Sequence, residues 1–242
     1  MSVRWHSYPD PRQAAAACAH HLLALIDDAL SGQDHVTVAV SGGTTPGLLF
    51  DEMVKGRPRW ERVHLFWVDE RAVPPTDPLS NFKLANERFI QPAHLPRRNV
   101  HRIEGELIAE RAAEHYEDDI RRFFALEPGQ LPHFDIVQQG MGADAHTASL
   151  FPGEPLIEDR ERIAAAVYVE KMRQWRITLL PGVLLAAKHN VFLVAGKDKA
   201  PAVRAVFREE YDPKRLPAQV VSHHGRHVAW FLDTAAASEM ED

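Results

Sequence analysis

Glycines, an acid and a histidine crowd into one run of this chain, Gln138-Gln139-Gly140-Met141-Gly142-Ala143-Asp144-Ala145-His146-Thr147-Ala148-Ser149-Leu150-Phe151-Pro152-Gly153. The run follows Phe134-Asp135-Ile136-Val137, which reads as a buried strand. Open α/β sheets keep their chemistry in the crevice at the carboxyl ends of their strands. A neutral imidazole placed there can take a proton from water near neutral pH and return it later. His146 is therefore a candidate acid–base group, and Asp144 a candidate to orient it or to hold a substrate hydroxyl. The competing reading makes Asp144 or Thr147 a helix cap and His146 a packed ring. The glycine-rich strand-end setting favours chemistry. Ser149 has no Gly-x-Ser-x-Gly elbow around it and reads as a capping or packing residue.

Three further groups of residues suit a small anionic ligand. Ser41-Gly42-Gly43-Thr44-Thr45 directly follows an apolar strand and leads into a helix. Its glycines let backbone N–H groups converge, its hydroxyls add donors, and the helix adds a positive end. It matches neither the Walker A loop nor the dinucleotide fingerprint, and a plain tight connection is the alternative. Asp69-Glu70-Arg71 closes an almost uninterrupted apolar strand, which puts at least one charge in the crevice. Asp69 is the polar group at the strand tip. Arg71 could hold a ring oxygen or neutralise developing charge, and Glu70 could make a structural ion pair. Arg176 and Lys199 are the basic candidates, with Lys197 close enough to compete. An arginine fork can bind two phosphate oxygens, whereas either cation alone could be surface charge.

Positioning these groups requires strands and helices in alternation, and the pattern supplies them. Asp10-Pro11 caps and opens a helix over 12–30. Strands are expected at 36–40, 63–68, from 134, at 163–169, 191–194 and 228–232, with a short extended piece at 176–179. Helices are expected from the Ser41 turn to 54, from a Ser80 cap to 89, over 110–124, near 183–188, and from the Lys199 turn to 210. The fold class is α/β: three layers, a mostly parallel sheet with helices on both faces, Rossmann-like in a modified form. One domain is expected over 1–242, with a small acidic tail, 235–242, that frays.

Bulk properties narrow the partners. The 242 residues carry a formal net charge of -6, with 45% hydrophobic and 26% charged residues. That balance argues against nucleic acid or an anionic membrane as partner, but leaves room for a phosphorylated metabolite in a local positive pocket. The single cysteine, Cys18, excludes an internal disulfide and a cysteine zinc cluster, and reads as a buried, inert thiol. The 14 histidines include the pairs His20-His21 and His223-His224, without metallopeptidase spacing. No metal or other cofactor is expected. The chain start lacks a signal-peptide core and no apolar run is of membrane-spanning length, so the expected location is cytoplasmic.

Together these segments resemble the 6-phosphogluconolactonase family, within the wider group that includes glucosamine-6-phosphate isomerase/deaminase. The resemblance spans most of the chain. It rests on Ser41 to Pro46, Phe66 to Arg71, Ser80-Asn81, Gly140 to Gly153, Arg176 to Leu179 and Gly196 to Ala200, in this order. It implies hydrolysis of 6-phospho-D-glucono-1,5-lactone in the oxidative pentose phosphate pathway, without metal or organic cofactor. By this likeness the loop from Ser41 to Thr45, Arg176 and Lys199 hold the phosphate, and His146 is the catalytic histidine. Asp69 and Arg71 line the sugar-ring region, and Asn81 supports that wall or touches substrate. Backbone N–H groups near Gly142, or Arg71, would hold the oxyanion. The chain departs from the family pattern at Ala145 (usually glycine), Ala143 (often proline), Gln138-Gln139 (usually more apolar), and Leu180 and Leu185 (often polar). A left-handed backbone at Ala145 would carry strain. The alternatives are an amino-sugar-phosphate isomerase/deaminase and a catalytically silent phosphosugar-binding protein. A monomer or weak homodimer is expected.

Overall fold

The structure, a computed structural model, describes residues 4–56 and 58–240. Among these residues ten strands form two sheets. The larger contains β1 (Arg4–Tyr8), β2 (Val36–Val40), β3 (Val63–Trp67), β5 (Val100–His101), β6 (Ile136–Gln139), β9 (His189–Val194) and β10 (Val228–Asp233). Its order is β1-β10-β9-β6-β2-β3-β5, and every neighbouring pair is parallel. The smaller sheet is antiparallel, in the order β4 (Asp69–Arg71), β8 (Gln174–Leu179), β7 (Ala164–Val169).

Seven α-helices among the described residues connect and cover the strands: α1 (Pro11–Gly32), α2 (Thr44–Met53), α3 (Asn81–Ala85), α4 (Ala109–Phe124), α5 (Pro181–Ala186), α6 (Ala200–Arg208) and α7 (Gln219–His224). Asp10 caps α1 as the sequence predicts, its side chain accepting from Gln13 N at 2.8 Å. Ser80 caps α3 by accepting from Lys83 N at 3.1 Å. The five residues of β2 and the four of β6 are all buried. That is why β2 reads as a nearly continuous apolar run with no alternation.

The strand order decides where a ligand can sit. From β2 the chain steps one way to β3 and β5; from β6 it steps the other way to β9 and β10. The crevice opens where the order reverses, at the carboxyl ends of β2 and β6. The segment after β2 is the Ser41–Thr45 loop, and the segment after β6 is the Gly140–His146 loop. Between β3 and β4 the chain leaves the large sheet for the small one. Val68 marks the transfer: its N–H donates to Val40 O at 2.9 Å and its carbonyl accepts from Leu179 N at 2.8 Å.

Several elements differ from the sequence reading. Asp69-Glu70-Arg71 is itself a short strand rather than the charged end of one, because β8 supplies its backbone partners. The strand expected from Phe134 lies at Ile136–Gln139, since Gln138 and Gln139 pair with Val191 and Phe192 of β9 despite their polarity. β1, β5 and α7 carry no clear sequence signal. β1 is an edge strand with mostly exposed side chains, held by its register against β10. In the tail, Ala236, Ala237 and Met240 are buried, and Arg208 Nη2 donates to Met240 O at 3.2 Å. Its last two residues lie outside the described ones.

At the other edge, His64 of β3 and His101 of β5 tie the sheet to α4. Their Nδ1 and Nε2 atoms lie 3.0 Å apart, and His101 Nδ1 lies 2.8 Å from Asp119 Oδ2. Burial, with the nearby His101 and His35 rings, pushes the His64 pKa down to about 4. The unfolded chain, with an ordinary histidine near pKa 6.5, takes that proton first. The His64 contribution to stability is therefore full above about pH 6.5 and is lost progressively as pH falls toward 4. His64→Phe is expected to shrink the loss of urea midpoint between pH 7 and pH 4.5; an unchanged loss would contradict this account.

Candidate functional site

A cleft of about 590 Å³ opens at the reversal point. It gathers Ser41, Gly42, Gly43, Thr44, Thr45, Asp69, Arg71, Asn81, Gly142, His146, Arg176 and Lys199. Asp144 stands behind His146 rather than on the cleft wall. Lys197 is absent from the wall, so of the two lysines it is Lys199 that faces the ligand space. Met141, Met172 and Pro11 complete parts of the lining without having been singled out by the sequence.

The anion end is built from backbone. The N–H groups of Gly42, Gly43 and Thr44 have no acceptor among the described residues, as the first turn of a helix leaves them. Ser41 is anchored from below: its N and Oγ both donate to Gln138 Oε1, at 3.2 and 3.1 Å. Gln138 therefore holds the loop to the strand next door. Gly42 is needed for close approach, since a Cβ there would lie 1.8 Å from Asn81 Oδ1.

The small sheet supplies the cations. Arg71 and Arg176 are register partners across β4 and β8. Arg176 is 8% exposed and lies 3.9 Å from Asp69 Oδ2. Burial lowers its pKa and Asp69 pulls it back up, leaving a cation. The Nε atoms of Arg71 and Arg176 and Asn81 Oδ1 are buried without a protein partner. Buried polar atoms left unpaired cost about 1–3 kcal/mol each.

Asp69 lines the cleft with both carboxylate oxygens facing donors. Its Oδ2 accepts from Ser149 Oγ at 2.7 Å, and its Oδ1 faces Asn81 Nδ2 at 3.4 Å. Ser149 is fully buried and its N–H donates to Thr178 Oγ1 at 3.1 Å, so it packs the turn. Glu70 has a related task. Its carboxylate accepts from the N–H groups of Arg71, Asn81 and Phe82 and from Ser80 Oγ, at 2.7–3.0 Å. Burial raises its pKa, and those donors oppose the rise. It caps the start of α3 and thereby places Asn81, where the sequence suggested an ion pair.

The Gly140–His146 loop is a tight turn. Gly142 N donates to His146 O at 2.8 Å, and Ala145 N donates to Gly142 O at 3.0 Å. The Gly142 N–H is thus committed within the loop. Ala145 is left-handed, with φ 61°, a conformation that costs a non-glycine residue about 1–2 kcal/mol. Burial and the bond from Ala218 N to Ala145 O, 3.0 Å, hold it there. The alanine does not break the loop. Gln139 Oε1 lies 3.0 Å from Thr147 Oγ1, and Gln139 Nε2 donates to Asn190 Oδ1 at 3.1 Å. Neither Leu180 nor Leu185 lines the cleft.

Within that turn His146 Nδ1 lies 2.5 Å from Asp144 Oδ1. The ring stacks on Phe151 with centroids 4.2 Å apart. Nε2 makes no protein hydrogen bond among the described residues, and the side chain lines the cleft. Burial pushes the Asp144 pKa up, but hydrogen bonds from His146 and Lys171 outweigh it and hold the carboxylate well below its usual range. Lys171, on the turn between β7 and β8, was not singled out by the sequence. Its ammonium reaches Asp144 Oδ2 from 27 residues away.

No group of three or more metal-ligating side chains occurs among the described residues. No helix among them is long and apolar enough to cross a membrane.

Backbone donors, one buried and one partly buried guanidinium, a lysine and an imidazole around one cleft define an α/β protein built to hold a small polyanionic ligand beside an acid–base group. Residues 9–230 match the family model for glucosamine-6-phosphate isomerases/6-phosphogluconolactonase, and the chain belongs to that family. It is 34% identical over 233 residues to a 6-phosphogluconolactonase of Nostoc sp., covering 96% of both chains. It is also 34% identical to one of Synechocystis sp., over 89% of each. The crystal structure of a 6-phosphogluconolactonase from Leishmania guyanensis superimposes with a TM-score of 0.86 at 28% identity, covering 100% of both chains.

Two glycine substitutions separate the two ends of the cleft. Gly42→Ala drives a methyl into Asn81 and is expected to abolish stabilisation by inorganic phosphate, read as the phosphate-dependent rise in Tm. Gly142→Ala would put a Cβ 2.1 Å from His146 Cε1 and Nδ1. It is expected to keep the phosphate-dependent rise while displacing the imidazole. Equal loss of the rise in both variants would refute this division.

Proposed function

We propose that this chain is a 6-phosphogluconolactonase in which His146 drives attack of water on the lactone carbonyl. The observation that carries the reading is the free Nε2 edge of His146 facing the same cleft as the anion-binding groups. With Nδ1–H donated to Asp144, the ring presents an unprotonated Nε2. That nitrogen takes a proton from water as the water oxygen bonds to C1 of 6-phospho-D-glucono-1,5-lactone. The carbonyl electron pair moves to its oxygen, which Arg71 stabilises. When the ring C–O bond breaks, the imidazolium returns the proton to the departing oxygen. A lactone carbonyl is electrophilic enough to need no covalent intermediate, in keeping with the buried, bonded Ser149.

The Ser41–Thr45 loop, Arg176 and Lys199 take the phosphate. Gripping this remote group converts binding energy into orientation of C1. Asn81 contacts the sugar beside Asp69.

The isomerase/deaminase reading needs a carboxylate to move a proton between C1 and C2. Asp69 was the candidate. It is 6% exposed and both oxygens face donors from Ser149 and Asn81, so it is a poor base. The silent-binder reading drew on Ala145, and the intact Asp144–His146 contact removes that motive.

The deciding experiment is lactone hydrolysis followed promptly by pH-stat. His146→Ala is expected to lower kcat by about two to four orders of magnitude, with 6-phosphogluconate still bound. Release of ammonia from glucosamine 6-phosphate, without faster lactone opening, would overturn the assignment. A wild-type rate in His146→Ala would overturn the mechanism alone.

A further inference from the structure

The turn between β7 and β8 contributes to the imidazole's setting from outside its loop. It runs through Glu170–Met172 and turns back at Arg173, whose φ is 48°. Met172 Sδ accepts from Arg176 Nη2 at 3.0 Å, so the turn touches the anion end of the cleft. Lys171 touches the other end. Its Nζ pairs with Asp144 Oδ2, while Asp144 Oδ1 lies 2.5 Å from His146 Nδ1. The same ammonium sits 4.9 Å from the centroid of Phe151, on which the His146 ring stacks. One cation thus grips both the carboxylate and the aromatic ring that frame the histidine.

Long-range pairs between exposed side chains occur elsewhere in this protein, as in Arg88–Asp51 and Lys214–Glu158. Lys171 differs from them in its partner: the carboxylate it reaches is already engaged by the histidine. A carboxylate free to rotate about its last torsion presents either oxygen. Securing Oδ2 leaves Oδ1 as the atom facing the imidazole and fixes the ring's tautomer and tilt.

We infer that Lys171 is a positioning residue for the reaction: by holding Asp144 it orients His146 and sets how readily that imidazole is protonated. The inference rests on the reading of His146 as the base. The other charged groups of the cleft are Asp69, Arg71, Arg176 and Lys199. None of them forms an ion pair or hydrogen bond with Asp144 or His146. Lys171 is half exposed, and such a pair adds little to global stability, so substitutions there should fold.

Removing the Lys171 charge has a defined sign. Asp144 then acts on His146 without a competing cation, the imidazolium is favoured, and the neutral base is lost at higher pH. In Lys171→Met the acid limb of kcat/KM for lactone hydrolysis is expected to move up by about half to one pH unit. At the optimum kcat is expected to fall about tenfold while KM stays within about twofold. Lys171→Arg should restore most of both.

An unmoved acid limb, or a rise in KM without loss of kcat, would overturn the proposal. The second outcome would make the turn a substrate contact instead. NMR titration of the His146 imidazole, in the full chain without substrate, reads the clamp independently of the reaction. If the Lys171→Met substitution moves that titration, the clamp stands even where His146→Ala leaves turnover intact. An unmoved titration sinks it whatever the kinetics show.

Discussion

Parallel pairing is the constraint from which the site follows. Every neighbouring pair in the large sheet is parallel, so all its strands end at one edge. Each return crossing is made by other elements, and the loops leaving the strands meet only where the order reverses. The Ser41 loop, the His146 loop and the Gly196–Lys199 segment share a cleft because β2, β6 and β9 lie side by side. None of the three contains a complete binding site.

The small antiparallel sheet closes the cleft from the side. The chain reaches it by bending at Val68, directly after β3, and returns to it through β7 and β8. Register across β4 and β8 then sets Arg71 opposite Arg176. Two neighbouring cations repel and lose hydration, which a fold accepts when nearby acids compensate them. Asp69 and Glu70 are those acids, and both are also hydrogen-bonded into the wall. Polar residues buried under the cleft act in the same way. Gln138 and Gln139 bind one functional loop each to adjacent strands, where apolar residues could have filled the space but not directed it.

The run of strands and helices was legible because burial leaves a pattern in residue type. The expected helix at 12–30 and strand at 36–40 are found at Pro11–Gly32 and Val36–Val40. β1 was not legible, because an edge strand held by backbone bonds leaves its side chains free to be anything soluble. The burial of Ala236 and Ala237 was not legible for a similar reason: small residues look neutral in sequence, yet fit where a larger side chain would not. Among the site residues, the glycine turns, His146 and Lys199 could be picked out by type and by place after a strand, and Arg176 by type. The separate tasks of Asp69 and Glu70 could not, since a carboxylate's partners are non-local.

By itself the sequence determined the alternating α/β order, the glycine turns and the stock of chemical groups, because these depend on local propensity and on period. Tertiary structure decided the rest. It chose Lys199 over Lys197 at the cleft, made a strand of Asp69-Glu70-Arg71, and held Ala145 left-handed. It also brought Lys171 to Asp144 across two sheets. Those outcomes depend on distances between residues far apart in the chain, and a distance of that kind exists only once the sheets have paired.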